Sequence, residues 1–168
     1  MTRLVGLLAD YGSYHRNPRN RLTHYVGVPA IAYAVLIPAS LPLWMIFGLA
    51  IGLDQVIVAM LTLFYLILDL RLGLALAVLL ALLAWAAQVS TRIGTAGCLI
   101  LAGSVFVLGW AMQLLGHRLE GNRPALLGNL FQIVVAPIYL AAELSFAVGL
   151  RRALQTEIGK RLGPAPAR

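Results

Sequence analysis

The sequence predicts an all-α fold: an integral membrane helical bundle of about five to six helices, with an N-terminal helix at the membrane interface. Hydrophobic residues make up 61% of the 168 positions, and only 11% are charged, where soluble domains average about 25%. Uncharged runs such as residues 26–53 exceed the roughly 20 residues with which a helix crosses the hydrocarbon core. We expect residues 1–158 to form one membrane-embedded domain and residues 159–168 to form a disordered tail.

The first segment reads as a short interfacial helix over residues 1–14, because Leu4, Leu7, Leu8 and Tyr11 recur at helical spacing. A second helix is predicted to begin at Asn17-Pro18. Asparagine caps helix N-termini well, and proline is favoured in the first helical turn.

Four apolar runs follow this helix start, at residues 26–53, 55–68, 72–91 and 93–115. Residues 39–42 contain Pro42 and predict either a kink in one long span or a loop between two half-length spans. Residues 125–150 are ambiguous between a simple fifth span and a segment broken at Pro137. The broken form is favoured because it keeps the basic residues after 150 on the side of the other arginines.

The formal net charge of +7 comes mainly from arginines that flank the apolar runs. This placement indicates orientation by the positive-inside rule and contact with anionic membrane lipids. Nucleic-acid binding is not expected, because the sequence has no pattern of interleaved basic and aromatic residues.

The three histidines lie in two polar patches, residues 14–24 and 116–120. On one continuous helix, His15 and His24 would face opposite ways, so the break at Asn17-Pro18 is needed to bring them together. If residues 26–53 cross once, four crossings separate the patches. His117 and Glu120 then return to the same membrane face, which the basic residues predict to be cytoplasmic.

Imidazoles with a carboxylate suit iron, zinc, manganese or copper, and such sets occur in non-haem iron oxygenases and in zinc hydrolases. Each histidine taken singly could instead be an interfacial anchor. The alternatives to an iron enzyme are therefore another membrane metalloenzyme, such as a zinc lipid hydrolase, and a non-enzymatic scaffold or transport subunit.

Two motifs resemble the membrane 2-hydroxy fatty acid dioxygenase family. The motifs are Tyr14-His15-x-Asn17-Pro18-x-Asn20-x-x-x-His24 and Gln113-x-x-Gly116-His117-x-x-Glu120-x-x-x-Pro124-Ala125-Leu126, with Ala136-Pro137 downstream. The resemblance implies an Fe(2+)-dependent enzyme that takes a long-chain 2-hydroxy fatty acid and O2. It further implies cleavage between the first and second carbons, release of an aldehyde one carbon shorter, and a bacterial inner-membrane or endoplasmic-reticulum location.

By the same resemblance, the metal ligands map onto His15, His24 and His117. Glu120 is expected to orient a histidine, and Asn20 completes the candidate catalytic set. Asn17 and five arginines are candidates to bind the substrate: Arg16, Arg19, Arg21, Arg118 and Arg123. Ligation by Asp10, Glu120 or Glu143, the number of crossings, the chain-length preference and the oligomeric state stay open.

Overall fold

The computed structural model describes residues 2–46, 49–121 and 131–163, which form seven α-helices, a 3-10 turn at Thr91–Ile93, one short hairpin and the loops between them. The all-α prediction is thereby confirmed. The helices are α1 (Thr2–Ser13), α2 (Pro18–Ala39), α3 (Leu53–Leu68), α4 (Leu70–Ser90), α5 (Thr95–Glu120), α6 (Gln132–Ala147) and α7 (Arg152–Leu162). Strands β1 (Trp44–Ile46) and β2 (Leu49–Ile51) pair antiparallel between α2 and α3.

Three helical segments among the described residues are long and apolar enough to cross a membrane: α2, α4 with the short turn after it, and α5. Helix α3 is apolar but has only 16 residues. Helices α6 and α7 are bent by 117° relative to each other, and they add a fourth span only if the bent pair is counted as one.

Helix α2 begins where the sequence predicts. Asn17 has an extended backbone, and its Oδ1 accepts a hydrogen bond of 2.9 Å from the amide of Arg19, while Pro18 occupies the first helical position. The helix ends at Ala39 with Ser40 as its C-terminal cap. Residues 39–42 are thus neither a kink in one long span nor a loop between two half-length spans. The full-length helix α2 ends there, and the β1–β2 hairpin follows.

Two apolar clusters mark the two ends of the bundle. One cluster joins Tyr65 near the end of α3 and Leu72 near the start of α4 to buried residues of α1, α6 and α7. The other joins the last turn of α2, including Ile37, to Ala87 of α4 and Cys98 of α5. The histidine patches lie at the first of these ends, which we call the site end.

Helices α2 and α5 pack antiparallel at very close range because glycines line their contact. A Cβ atom at Gly27 would lie 3.0 Å from the carbonyl oxygen of Gly109. A Cβ atom at Gly116 would collide with Thr23 Oγ1 and Asn20 Oδ1. Small residues at such positions let two helix backbones approach without a gap. The contact brings the start of α2 against the end of α5.

The C-terminal part departs from the prediction at Pro137. This proline lies inside the continuous helix α6, and the chain turns only after residue 147, where Gly149 and Arg151 have φ values of 77° and 57°. The predicted break at Pro137 is therefore wrong, and the sharp bend lies instead between α6 and α7. Residues 159–162, which were expected to be disordered, belong to α7, and residues 164–168 lie outside the described part.

Helix α6 is held at the site end by contacts near both of its ends. Near its start, the Tyr65 hydroxyl donates to the carbonyl of Val134 at 2.9 Å. Near its end, Glu143 forms an ion pair with Arg21 in the first turns of α2. Because both partners lie at the site end, α6 lies across the bundle there instead of running to the opposite end.

Prediction for the α2–α5 contact. Gly116→Ala should lower the free energy of unfolding by about 1–3 kcal/mol, because the added methyl group overpacks the junction at Thr23 and Asn20. Thermal unfolding in detergent measures the effect. Gly103→Ala on the same helix is the matched control, since a Cβ there meets no atom within 4 Å. Equal melting temperatures for the two variants would contradict a tight junction.

Candidate metal centre

Three buried imidazoles meet at the site end. His15 lies in the bend between α1 and α2, His24 on the second turn of α2, and His117 on the last turn of α5. One nitrogen from each ring lies within 4.8 Å of the others. The structure thus brings together the three residues that the sequence predicted as ligands, and the bend at Asn17-Pro18 produces the contact between His15 and His24.

The hydrogen bonds of His15 and His24 fix which nitrogen faces the centre. His15 Nδ1 lies 2.8 Å from the carbonyl oxygen of Tyr11, and His24 Nδ1 lies 2.9 Å from that of Asn20. A carbonyl only accepts, so each Nδ1 carries the proton and donates it. The two unprotonated Nε2 atoms then face each other at 3.1 Å, which suits a shared cation.

The His15 ring is held in its neutral form. Burial lowers the pKa of His15 to about 4; the hydrogen bond to Tyr11 raises it in part, and the neighbouring His117 lowers it. The ring also stacks on Tyr11 with 4.1 Å between centroids and 2° between planes. Neutral imidazole is the form that binds a metal ion.

His117 contributes an unsatisfied nitrogen to the same cluster. Its ring centroid lies 5.1 Å from that of His15 and 5.1 Å from that of His24. Its Nδ1 is buried and has no hydrogen-bond partner among the described residues. Buried polar atoms normally have a partner, so the donor set of this cluster fits a bound metal ion.

Glu120 joins the end of α5 to the start of α2. Its carboxylate accepts hydrogen bonds from the amides of Arg16 at 3.0 Å and Asn17 at 2.8 Å, and from Asn20 Nδ2 at 3.1 Å. In return, Asn17 Nδ2 donates to the carbonyl of Leu119 at 2.8 Å. A carboxylate at a helix N-terminus also interacts favourably with the helix dipole. Glu120 therefore positions the histidine-bearing segments through backbone amides and the Asn20 side chain.

The other two carboxylates that the sequence left open as ligands are engaged elsewhere. Asp10 Oδ2 accepts a hydrogen bond of 2.5 Å from Gln132 Nε2, and Glu143 pairs with Arg21. Among the described residues, the group that could hold a metal ion consists of the three histidines without a carboxylate.

A cavity of about 370 Å³ opens beside the three imidazoles and continues between the helices. Its walls are almost entirely apolar, and polar side chains are confined to the histidine end and two glutamines, Gln113 and Gln132. The volume lies within the roughly 300–1,000 Å³ that is usual for ligand cavities.

The arginines expected to bind the substrate do not line this cavity in the described part of the chain. Arg19 and Arg118 are exposed, Arg16 donates to the carbonyl of Leu162, and Arg21 pairs with Glu143. Arg123 lies outside the described residues. The geometry thus departs from that expectation, because the arginine side chains extend towards the surface or to α6 and α7.

Sequence reasoning assigned no role to Gln113, Gln132 and Tyr139, which the structure brings to the site. The Tyr139 ring packs against Tyr11 with centroids 4.7 Å apart. The signal for Gln113 was its place as the first residue of the second motif, four positions before His117 on one helix face. Gln132 and Tyr139 had no such signal, because the position of α6 across the site end depends on tertiary contacts.

Comparison with known proteins agrees with the motifs. A family model described as "2-hydroxy-palmitic acid dioxygenase Mpo1-like" matches residues 1–148. The chain is 34% identical over 154 residues to the 2-hydroxy-palmitic acid dioxygenase MPO1 of Saccharomyces cerevisiae. The aligned region covers 90% of this chain and 84% of the yeast protein. No solved structure matches the chain. By the extent of these matches, the chain belongs to the Mpo1-like family.

Proposed function

We propose that this protein is an Fe(II)-dependent dioxygenase that cleaves long-chain 2-hydroxy fatty acids with O2 between the first and second carbons. The observation that carries the proposal is the cluster of three buried imidazoles at the mouth of an apolar cavity. Three imidazoles alone would also suit zinc. Membership of the Mpo1-like family favours the oxygen chemistry.

The ligand set leaves room for the substrate and O2. Fe(II), when bound, would supply the redox chemistry that activates O2, and His15, His24 and His117 would hold it with three neutral nitrogens. Three protein ligands would leave open positions for the substrate and for O2. An anionic substrate would also offset the positive charge of an ion held only by neutral ligands in an apolar cavity.

The cavity is long enough to hold the acyl chain of such a substrate. Its wall follows α2 from His24 to Leu36, twelve residues or about 18 Å at 1.5 Å per residue. An extended chain advances roughly 1.2 Å per bond, a third of the 3.6 Å per residue of extended backbone, so 18 Å accommodates about 15 bonds. This length corresponds to a long-chain fatty acid with its head group at the imidazoles.

The products follow from atom balance. A 2-hydroxy acid and O2 give an aldehyde one carbon shorter and CO2 only if hydrogen peroxide is also formed. The same reactants give the carboxylic acid one carbon shorter, CO2 and water, with no other reagent. A dioxygenase incorporates both oxygen atoms into the cleaved substrate and does not release them as hydrogen peroxide, so we propose the acid as the product, in place of the aldehyde expected from the resemblance.

We propose that the site end faces the cytoplasm, in a bacterial inner membrane or the endoplasmic reticulum. Among the described residues, seven exposed cations belong to the segments packed at the site end: Arg3, Arg19, Arg71, Arg118, Arg152, Lys160 and Arg161. Arg92, between α4 and α5, is exposed at the opposite end. The positive-inside rule supports this orientation.

Prediction for the ligands. His15→Ala, His24→Ala and His117→Ala should each lose bound iron and O2-dependent consumption of 2-hydroxypalmitate, because each removes one of three ligands. Elemental analysis and product analysis of purified protein measure both. Arg118→Ala, next to His117 but exposed, should retain iron. Full iron content in all three histidine variants would refute the site, and zinc with O2-independent activity would indicate a hydrolase.

Prediction for Glu120. Glu120→Gln should lower iron affinity about 10- to 100-fold and reduce thermal stability, because an amide cannot accept all the hydrogen bonds of the α2 start. Iron titration and melting in detergent measure these effects. Glu157→Gln is the control, since Glu157 pairs with Lys160 on the exposed face of α7, away from the histidines. Unchanged iron affinity in Glu120→Gln would show that the contact does not support the site.

Prediction for the cavity. Ala32 lines the cavity two helical turns beyond His24, or about 12 Å. Ala32→Phe should therefore block long chains and shift the preferred substrate from about sixteen carbons towards about ten, as measured by competition between 2-hydroxy acids of graded length. Ile100→Phe, on an exposed face of α5, is the control. An unchanged length preference in Ala32→Phe would contradict this placement of the acyl chain.

A further inference from the structure

Two glutamines in the cavity wall each bury an unpaired carboxamide oxygen. Gln113 is 8% exposed and Gln132 is 6% exposed. The Oε1 atom of each has no hydrogen-bond partner among the described residues. A buried acceptor without a donor is unfavourable, so such an oxygen is expected to meet a donor supplied by a ligand.

Gln113 is the glutamine next to the imidazoles. It precedes His117 by four residues on α5, so the two side chains share a helix face. It also packs against Gly27, where an added Cβ would lie 3.2 Å from its Cδ atom, and Gly27 follows His24 by three residues on α2. The Gln113 side chain therefore lies about one helical turn from His24 and His117, and it lines the cavity.

Gln132 is held in a different way. Its Nε2 donates to Asp10 Oδ2, which joins α6 to α1. This contact gives Gln132 a structural partner on α1, whereas Gln113 lines the cavity next to the proposed head-group site and its Oε1 has no partner among the described residues. Of the two oxygens, Gln113 Oε1 is the better placed to meet a ligand bound at the histidines.

We propose that Gln113 Oε1 accepts a hydrogen bond from the 2-hydroxyl group of the substrate and thereby selects 2-hydroxy acids over unsubstituted fatty acids. This inference rests on the proposed function. An ionised carboxylate only accepts hydrogen bonds, so the 2-hydroxyl is the sole donor of the head group. A fatty acid without the hydroxyl leaves Gln113 Oε1 unpaired, and a site built to pair with a hydroxyl rejects the analogue that lacks one.

The experiment measures binding without turnover. Iron-loaded wild-type protein and Gln113→Leu are titrated without O2 with 2-hydroxypalmitate and with palmitate. We expect Gln113→Leu to lose about tenfold in affinity for 2-hydroxypalmitate, the size of one hydrogen bond, and to keep its affinity for palmitate. Iron content should be unchanged. The melting temperature should be equal or higher, because the variant no longer buries an unpaired oxygen.

Gln132→Leu is the matched control and should keep the preference for the hydroxylated acid. The assignment of Gln113 is overturned if Gln113→Leu keeps the wild-type preference, weakens both acids equally or melts at a lower temperature. It is also overturned if only Gln132→Leu loses the preference. Wild-type protein that binds both acids equally, or neither, overturns the proposed function and this inference together.

Discussion

The carboxylate of Glu120 at the end of one helix, bound to the backbone amides at the start of another, is the contact on which the site depends. The first amides of a helix have no partner within the helix. Glu120 accepts from the amides of Arg16 and Asn17, just before α2, and so ties the end of α5 to the bend that carries His15. Without this contact, the Asn17 Nδ2 hydrogen bond to the carbonyl of Leu119 would remain between these two segments, but the backbone amides before α2 would lose their acceptor.

The glycines of the α2–α5 contact act together with Glu120. Apolar packing between helices in a membrane resembles packing against lipid, so shape complementarity and polar contacts determine which helices meet. Gly27, Gly109 and Gly116 allow close approach of the backbones, and the same approach leaves the neighbouring Gln113 against the cavity. The positions of His24 and His117 and the shape of one wall of the cavity thus depend on this helix pair.

Polar groups at the site end divide into two kinds. Glu120, Asn17, Asp10 and the Arg21–Glu143 pair have partners within the protein, and they hold α1, α2, α5 and α6 together. The His117 Nδ1 and Gln113 Oε1 atoms have none among the described residues, and both belong to residues that line the cavity. The first kind accounts for the fold of the site, and the second kind consists of the groups that we propose meet a metal ion and a substrate.

The sequence by itself determined the all-α fold, the order of the helices up to α5 and the three histidines as candidates for the site. Apolar run length, the Asn17-Pro18 cap and the scarcity of polar residues are local properties, and they predicted α1, the start of α2 and the two histidine patches, whereas the assignment of the histidines as metal ligands came from the family resemblance. Only the tertiary structure decided that Pro137 stays inside α6, that the arginines avoid the cavity, and that Gln113 and Gln132 line it. These outcomes depend on which helices pack together, a choice that neither hydropathy nor residue spacing encodes.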